Sequence, residues 1–209
     1  MRNFFYISFL ILILTACGTK IPLRTDIDDR ILMPGDDKKL KANYELNTSF
    51  QSDEIDLLEI KKKGKKTLIE DAFEYSSNEA LKTLFSKYFD NKFNELSDDV
   101  ISINLEMKNL YLEKKFLTST ASTALKGYTK YSISAIGSFV IQITYKQKDY
   151  NKKFKVEASD YNESQKAGNW TTIQKDPTEQ KSLILQSCFN RAIIKVDKLI
   201  NNVLATTER

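Results

Sequence analysis

Three pairs of adjacent aspartates, Asp28-Asp29, Asp36-Asp37 and Asp98-Asp99, are residues here whose type could carry a reaction. Two acids alone cleave a glycosidic bond when one protonates the leaving oxygen and the other activates water or attacks carbon. That chemistry needs carboxylates facing each other across a substrate, whereas chain neighbours point apart, and each pair falls in a tether or a loop. They read as solvated turn residues, and no catalytic residue is assigned. The chain has no histidine, which removes the commonest general base near neutral pH and the commonest metal ligand. Histidine triads and zinc sites go with it, and the six glycines are too scattered for a phosphate loop. The expectation is a protein that is not an enzyme and holds no metal.

The remaining candidates are binding residues. Lys61, Lys62, Lys63, Lys65 and Lys66 form the densest basic run. Contact with anionic phospholipid or lipopolysaccharide head groups is the functional reading, at about 1 kcal/mol per lysine near a charged surface. A soluble hairpin tip that resists edge-to-edge pairing is the plainer and preferred one. Lys152, Lys153 and Lys155 pose the same choice. Trp170, the one tryptophan, stands in a polar stretch of functional length; it is either a partner anchor or a lid on the core.

Cys17 is the residue singled out most sharply. Residues 4–14 read FFYISFLILIL, preceded by Arg2 and followed by small residues, the outline of a secretory signal. An apolar run of about a dozen residues falls short of the roughly 20 that a membrane-crossing helix needs. Leu14-Thr15-Ala16-Cys17 resembles the bacterial lipobox, in which the cysteine receives diacylglycerol before the chain is cut just ahead of it. The resemblance makes Cys17 residue one, with covalent diacylglycerol and an N-acyl chain as its only attached groups. Acyl chains at about 0.8 kcal/mol per buried CH₂ then hold the protein on a bilayer. The alternative is ordinary secretion with a cysteine near the cut. Loss of Arg2 lowers the formal net charge from +4 to +3, too mild an excess to argue nucleic acid. With Cys17 acylated, Cys188 has no disulfide partner, and its place on an apolar helical stripe makes it a small core residue.

These residues must be carried by a fold. The expected division is a signal over 1–16, a lipidated terminus and tether over 17–43, and one domain over 44–205. Within the tether, residues 30–33 could add an edge strand. Tyr44, Leu46, Thr48 and Phe50 alternate on one face of a strand. Residues 55–60 and 65–70 flank KKKGKK as a hairpin. Ser76 and Glu79 form a capping box for a helix with Leu81, Leu84, Phe85 and Tyr88 on its apolar face. Ile101, Ile103, Leu105 and Met107 mark a strand whose register becomes unclear near Leu110. Residues 117–130 are a loop or bulged extension. Phe139, Ile141, Ile143 and Tyr145 face Phe154, Val156 and Ala158 across a hairpin turning at Asp149-Tyr150-Asn151. Asp176, Pro177 and Glu179 start a final helix whose apolar stripe runs from Ile184 to Leu204. Strands, helix, strands and long helix predict an α+β fold in two layers, an antiparallel sheet with two amphipathic helices on one face.

The lipobox, the strand INLEMKNLYLE at 103–113, the segment beginning YSISAIGSFVIQITYKQKDY at Tyr131, and the terminal amphipathic helix together resemble the YajG family of bacterial envelope lipoproteins. The chain departs from it around residues 117–130, at the longer loop around Trp170 and at the lysine hairpin near Lys61. That fold is similar to other small lipoproteins that assist envelope machines, including transporter-associated lipoproteins and the lipopolysaccharide-assembly plug. The resemblance implies a non-catalytic accessory subunit or scaffold on the outer membrane, facing the periplasm, with an envelope protein as partner; Gly18 after the cysteine agrees with that membrane. The outer face of the cytoplasmic membrane is the alternative location. A lipid- or glycan-binding module, using a groove between helix and sheet, is the alternative function.

Overall fold

The computed structural model describes residues 22–23, 40, 42–50, 53–60, 66–93, 98–117, 128–166 and 177–207. Along the chain they form β1 (Asn43–Phe50), β2 (Glu54–Ile60), β3 (Lys66–Glu74), α1 (Ser77–Lys92), β4 (Val100–Phe116), β5 (Tyr128–Tyr145), β6 (Lys148–Lys166) and α2 (Pro177–Thr207). The α+β, two-layer class stands, with six strands in one sheet ordered β3-β2-β4-β5-β6 and β1 sharing the β4 edge with β2.

The sheet is mixed rather than antiparallel throughout. β2–β3, β4–β5 and β5–β6 are antiparallel, but β1 and β2 both run parallel to β4. Parallel neighbours require a crossover, and α1 supplies it by carrying the chain back between β3 and β4. β1 pairs with β4 from Asn43↔Val100 to Phe50↔Met107, and β2 resumes at Leu57↔Leu112.

Alternation decides which face is buried. Ile101, Ile103, Leu105 and Met107 point into the core, and Leu110 and Leu112 continue it after a one-residue shift. The ladder steps from Met107↔Phe139 to Asn109↔Ser138, so Lys108 is an extra, unpaired residue. This bulge is what blurs the period near Leu110. Both helices pack on this one face. Tyr44 of β1 meets Phe89 of α1 with ring centroids 5.3 Å apart, while α2 covers β5 and β6, with Leu185, Phe189, Ile193, Val196 and Ile200 buried. At 1.5 Å per residue, the 31 residues of α2 run about 46 Å, about three quarters of the roughly 61 Å that the 18 residues of β5 span.

Gly137 sets how closely α2 approaches. A methyl group there would lie 2.7 Å from Cε2 of Phe139 and 3.3 Å from Sγ of Cys188. The absent side chain is therefore the space into which helix and ring settle.

Two local expectations are corrected. Ser76 precedes α1 but makes no side-chain capping bond. Its φ of −69° and ψ of 71° are not the extended geometry that turns a hydroxyl back to the first-turn amides; Ser77 Oγ donates instead to the Tyr75 carbonyl at 3.1 Å. The β5–β6 turn falls at Lys146-Gln147, closed by Tyr145↔Lys148, not at residues 149–151. Lys146 and Gln147 both take positive φ, 48° and 61°, as a two-residue turn matched to strand twist demands. The long inter-strand register outweighs the turn preference of Asp149 and Asn151.

Part of the segment before β1 is docked. Pro22 bridges Glu74 of β3 in parallel, the Leu23 amide donates to the Glu74 carbonyl at 2.8 Å, and Leu23 is only 5% exposed. Burying that side chain stabilises by about 2 kcal/mol. Leu40 bridges Phe93, and Ala42 is buried. Residues 30–33, proposed as an edge strand, lie outside the described residues.

Candidate functional site

Cys17, Lys61, Lys62, Lys63, Lys65 and Trp170 lie outside the described residues, as do Asp28-Asp29 and Asp36-Asp37. Lys66 is described, and it opens β3 on the sheet face away from the helices. There it forms an ion pair with Glu113, donates to the Tyr111 hydroxyl at 2.8 Å and sits 4.4 Å from the centre of that ring. Hydrogen bonding to Glu113 first, and to Tyr111 second, raises its pKa. Its charge is thus engaged within the sheet. Glu113, though on this outer face, is itself buried. Beside it Ile136 is buried apart from the main core.

The described acid pair does not converge either. Asp98 and Asp99 are both exposed. Asp99 accepts from the Tyr145 hydroxyl at 3.3 Å and pairs with Lys146 at 3.2 Å, which ties the start of β4 to the β5–β6 turn. The Asp99 carboxylate, followed by Tyr145, raises the pKa of Lys146. Among the described residues no three His, Cys, Asp or Glu side chains gather as metal ligands.

What the fold does build is an apolar groove of about 410 Å³ between the last turns of α2 and the inward face of the β5–β6 ribbon. Ile141, Ile143 and Tyr150 form its floor, Leu199 and Val203 its wall, and Lys152 and Asp149 stand at its rim. The cause is geometric. The apolar stripe of α2 lies over both β5 and β6 but leaves Tyr150 and Phe154 of the outer strand only half-buried. Lys152 pairs across the ladder with Ile141 and therefore faces the helix side, whereas Lys153 and Lys155 face the other. Such a groove can hold an alkyl or aromatic group.

The free edge of β6 is covered by charge. Arg191 Nη1 donates to the Glu157 carbonyl at 2.6 Å and Lys195 Nζ to the Lys155 carbonyl at 2.5 Å. These two α2 cations occupy strand acceptors that would otherwise offer a pairing edge.

Two polar sites are buried, and the first of them escaped the sequence reading. Lys92, at the end of α1, lies 3.1 Å from Asp197 of α2; Tyr88 donates to the same carboxylate at 2.5 Å and Asn201 at 3.1 Å. The visible signal was an acid among the apolar positions of α2, between Val196 and Ile200. The other site is at Cys188, buried as expected. Loss of solvent pushes its thiol up to about 12, against a downward pull from the Gly137 backbone. The same burial raises the nearby Tyr75 phenol, whose hydroxyl is enclosed without a hydrogen-bond partner among the described residues. Both groups are held neutral, which suits packing rather than reactivity.

No family model matches the chain, and no curated protein does. Among solved structures it is similar to protein XCC0632 from Xanthomonas campestris, described with the family model DUF330. That pair is 8% identical with a TM-score of 0.46, covering 91% of this chain and 99% of the other. It is also similar to an uncharacterized protein at 9% identity and a TM-score of 0.39, covering 87% and 96%. Likenesses this distant carry no functional argument. Among the described residues, no helix is long and apolar enough to cross a membrane.

Proposed function

We propose that the protein is an envelope lipoprotein, anchored through acyl chains on Cys17 after removal of residues 1–16. It serves as a non-catalytic accessory subunit or scaffold of an outer-membrane or envelope complex, as the resemblance to YajG-like lipoproteins implies. The observation that carries this reading is the register of the apolar run at 4–14 with LTAC at 14–17. Supporting it, the folded body takes hold at Pro22 and Leu23, just beyond that cysteine. Cross-linking of the tagged protein in intact cells, followed by mass spectrometry, tests the role. One envelope protein recovered in near-equal amount supports it; recovery of the protein alone refutes it.

The groove favours a second reading, a module that binds a lipid or glycan. Its apolar floor and the Lys152 amine fit an amphiphile with an anionic head. In that case Leu199→Trp, which fills the groove, abolishes binding of a fluorescent fatty acid. Charge reversal at Lys61, Lys62, Lys63, Lys65 and Lys66 would weaken it in a strongly salt-dependent way. Unchanged binding in both variants removes this reading.

A further inference from the structure

We infer that the β3 edge is the membrane-facing side of the body, held against the bilayer surface by a leash of only five residues. The inference rests on acylation of Cys17. Were the whole stretch from Cys17 to Asn43 a free tether, its 26 steps would span up to about 94 Å at 3.6 Å each. The structure shortens it. Pro22 is bridged to Glu74, the Leu23 amide is bonded to the same carbonyl at 2.8 Å, and the Leu23 side chain is 5% exposed. From Cys17 to Pro22 the chain reaches at most about 18 Å. The far side of the sheet, β6, lies four strand spacings away, about 19 Å farther.

The chemistry around the attachment point describes the contact. Asp53, Glu54, Glu74 and Glu79 are exposed there, so the edge rests at the head groups and does not enter the acyl layer. The exposed lysines at 148, 152, 153 and 155 lie on the opposite edge. That edge is turned away from the anchoring leaflet, and a protein partner would meet it at a membrane-proximal height. The rival arrangement, β6 laid flat on anionic lipid, is what the charge of those lysines alone would favour.

The acylated full chain in phosphatidylcholine vesicles carrying an acceptor dye separates these cases. A donor on Asn78→Cys, at the start of α1 beside the attachment, should transfer energy more strongly than one on Lys153→Cys; wild type reports any labelling of buried Cys188. Ten added Gly/Ser residues after Lys20 lengthen the root-mean-square leash from about 12 to about 21 Å and should lower transfer from position 78. The same insertion after Asp28 lies beyond the docked pair and should leave it unchanged.

Equal transfer from both positions, or equal effects of both insertions, overturns the leash while the chain still floats with vesicles and carries the diacylglyceryl mass. Stronger transfer from position 153 when phosphatidylglycerol is added overturns the orientation. Absence of the diacylglyceryl mass, with failure to float, overturns the anchor and this inference with it.

Discussion

Replacing Asp197 by alanine should cost about 3 kcal/mol of folding stability. Lys92 is 5% exposed and Asp197 9%, so the pair sits where water cannot replace a lost partner. The substitution takes the carboxylate 3.1 Å from the Lys92 ammonium, and also the acceptor of Tyr88 and Asn201. A buried charge deprived of its counter-ion typically costs 3–5 kcal/mol, and partial exposure of the Asp197 side chain, 13%, sets the lower figure. Asp197→Leu combined with Lys92→Met should recover most of the loss, because two apolar side chains leave no charge to desolvate. Urea unfolding of the soluble body, followed by circular dichroism, measures both. A loss under 1 kcal/mol for Asp197→Ala, or a double variant no more stable than the single one, would refute the pair's role in fixing α1 to α2.

Other consequences follow from the packing and the turn. Gly137→Ala should destabilise by about 1–3 kcal/mol, because the Phe139 ring, 2.7 Å from the new atom, is locked in the core; unchanged unfolding would show that α2 yields freely. Gln147→Gly should stabilise by about 0.5–1 kcal/mol by relieving a φ of 61°, read as a shift of the urea midpoint. Cys188 titrates near 12 when folded, against 9.0 as a free thiol. The unfolded chain therefore binds fewer protons across that window. The thiol's contribution is whole below about pH 9 and is lost as pH rises toward 12, and Tyr75 acts in the same direction from about pH 10 upward. Urea midpoints should fall over that range in wild type and less steeply in Cys188→Ala.

Much of the architecture was legible because one face of the sheet is buried. A buried face forces period two on Ile101 to Met107 and on Phe139 to Tyr145, and a covering helix forces the three-and-four repeat of α2. Local patterns carry no record of non-local pairing, so the parallel alignment of β1 and β2 with β4 could not be read from them. The bulge at Lys108 and the turn at Lys146-Gln147 were hidden for a related reason. Each is imposed by the ladder around it, against the preferences of its own residues. Leu23 stands between Ile21 and Ile27 with no sustained apolar period to mark it as docked. Of the candidate residues, Lys66, Asp98-Asp99, Lys152, Lys153 and Lys155 fall among the described ones, and the engagement of Lys66 with Glu113 and Tyr111 depends on strands far apart in sequence. The lining of the groove, which joins Ile141 and Tyr150 to Leu199 and Val203, likewise depends on how α2 packs against strands distant in sequence.

The most direct test of the central claim is the mass of the N-terminal peptide from protein recovered from membranes. The recovered chain should begin at Cys17 and carry diacylglycerol on sulfur and an acyl group on nitrogen, with neither present in Cys17→Ala. A mature chain beginning elsewhere, or one bearing an unmodified Cys17 thiol, would contradict it.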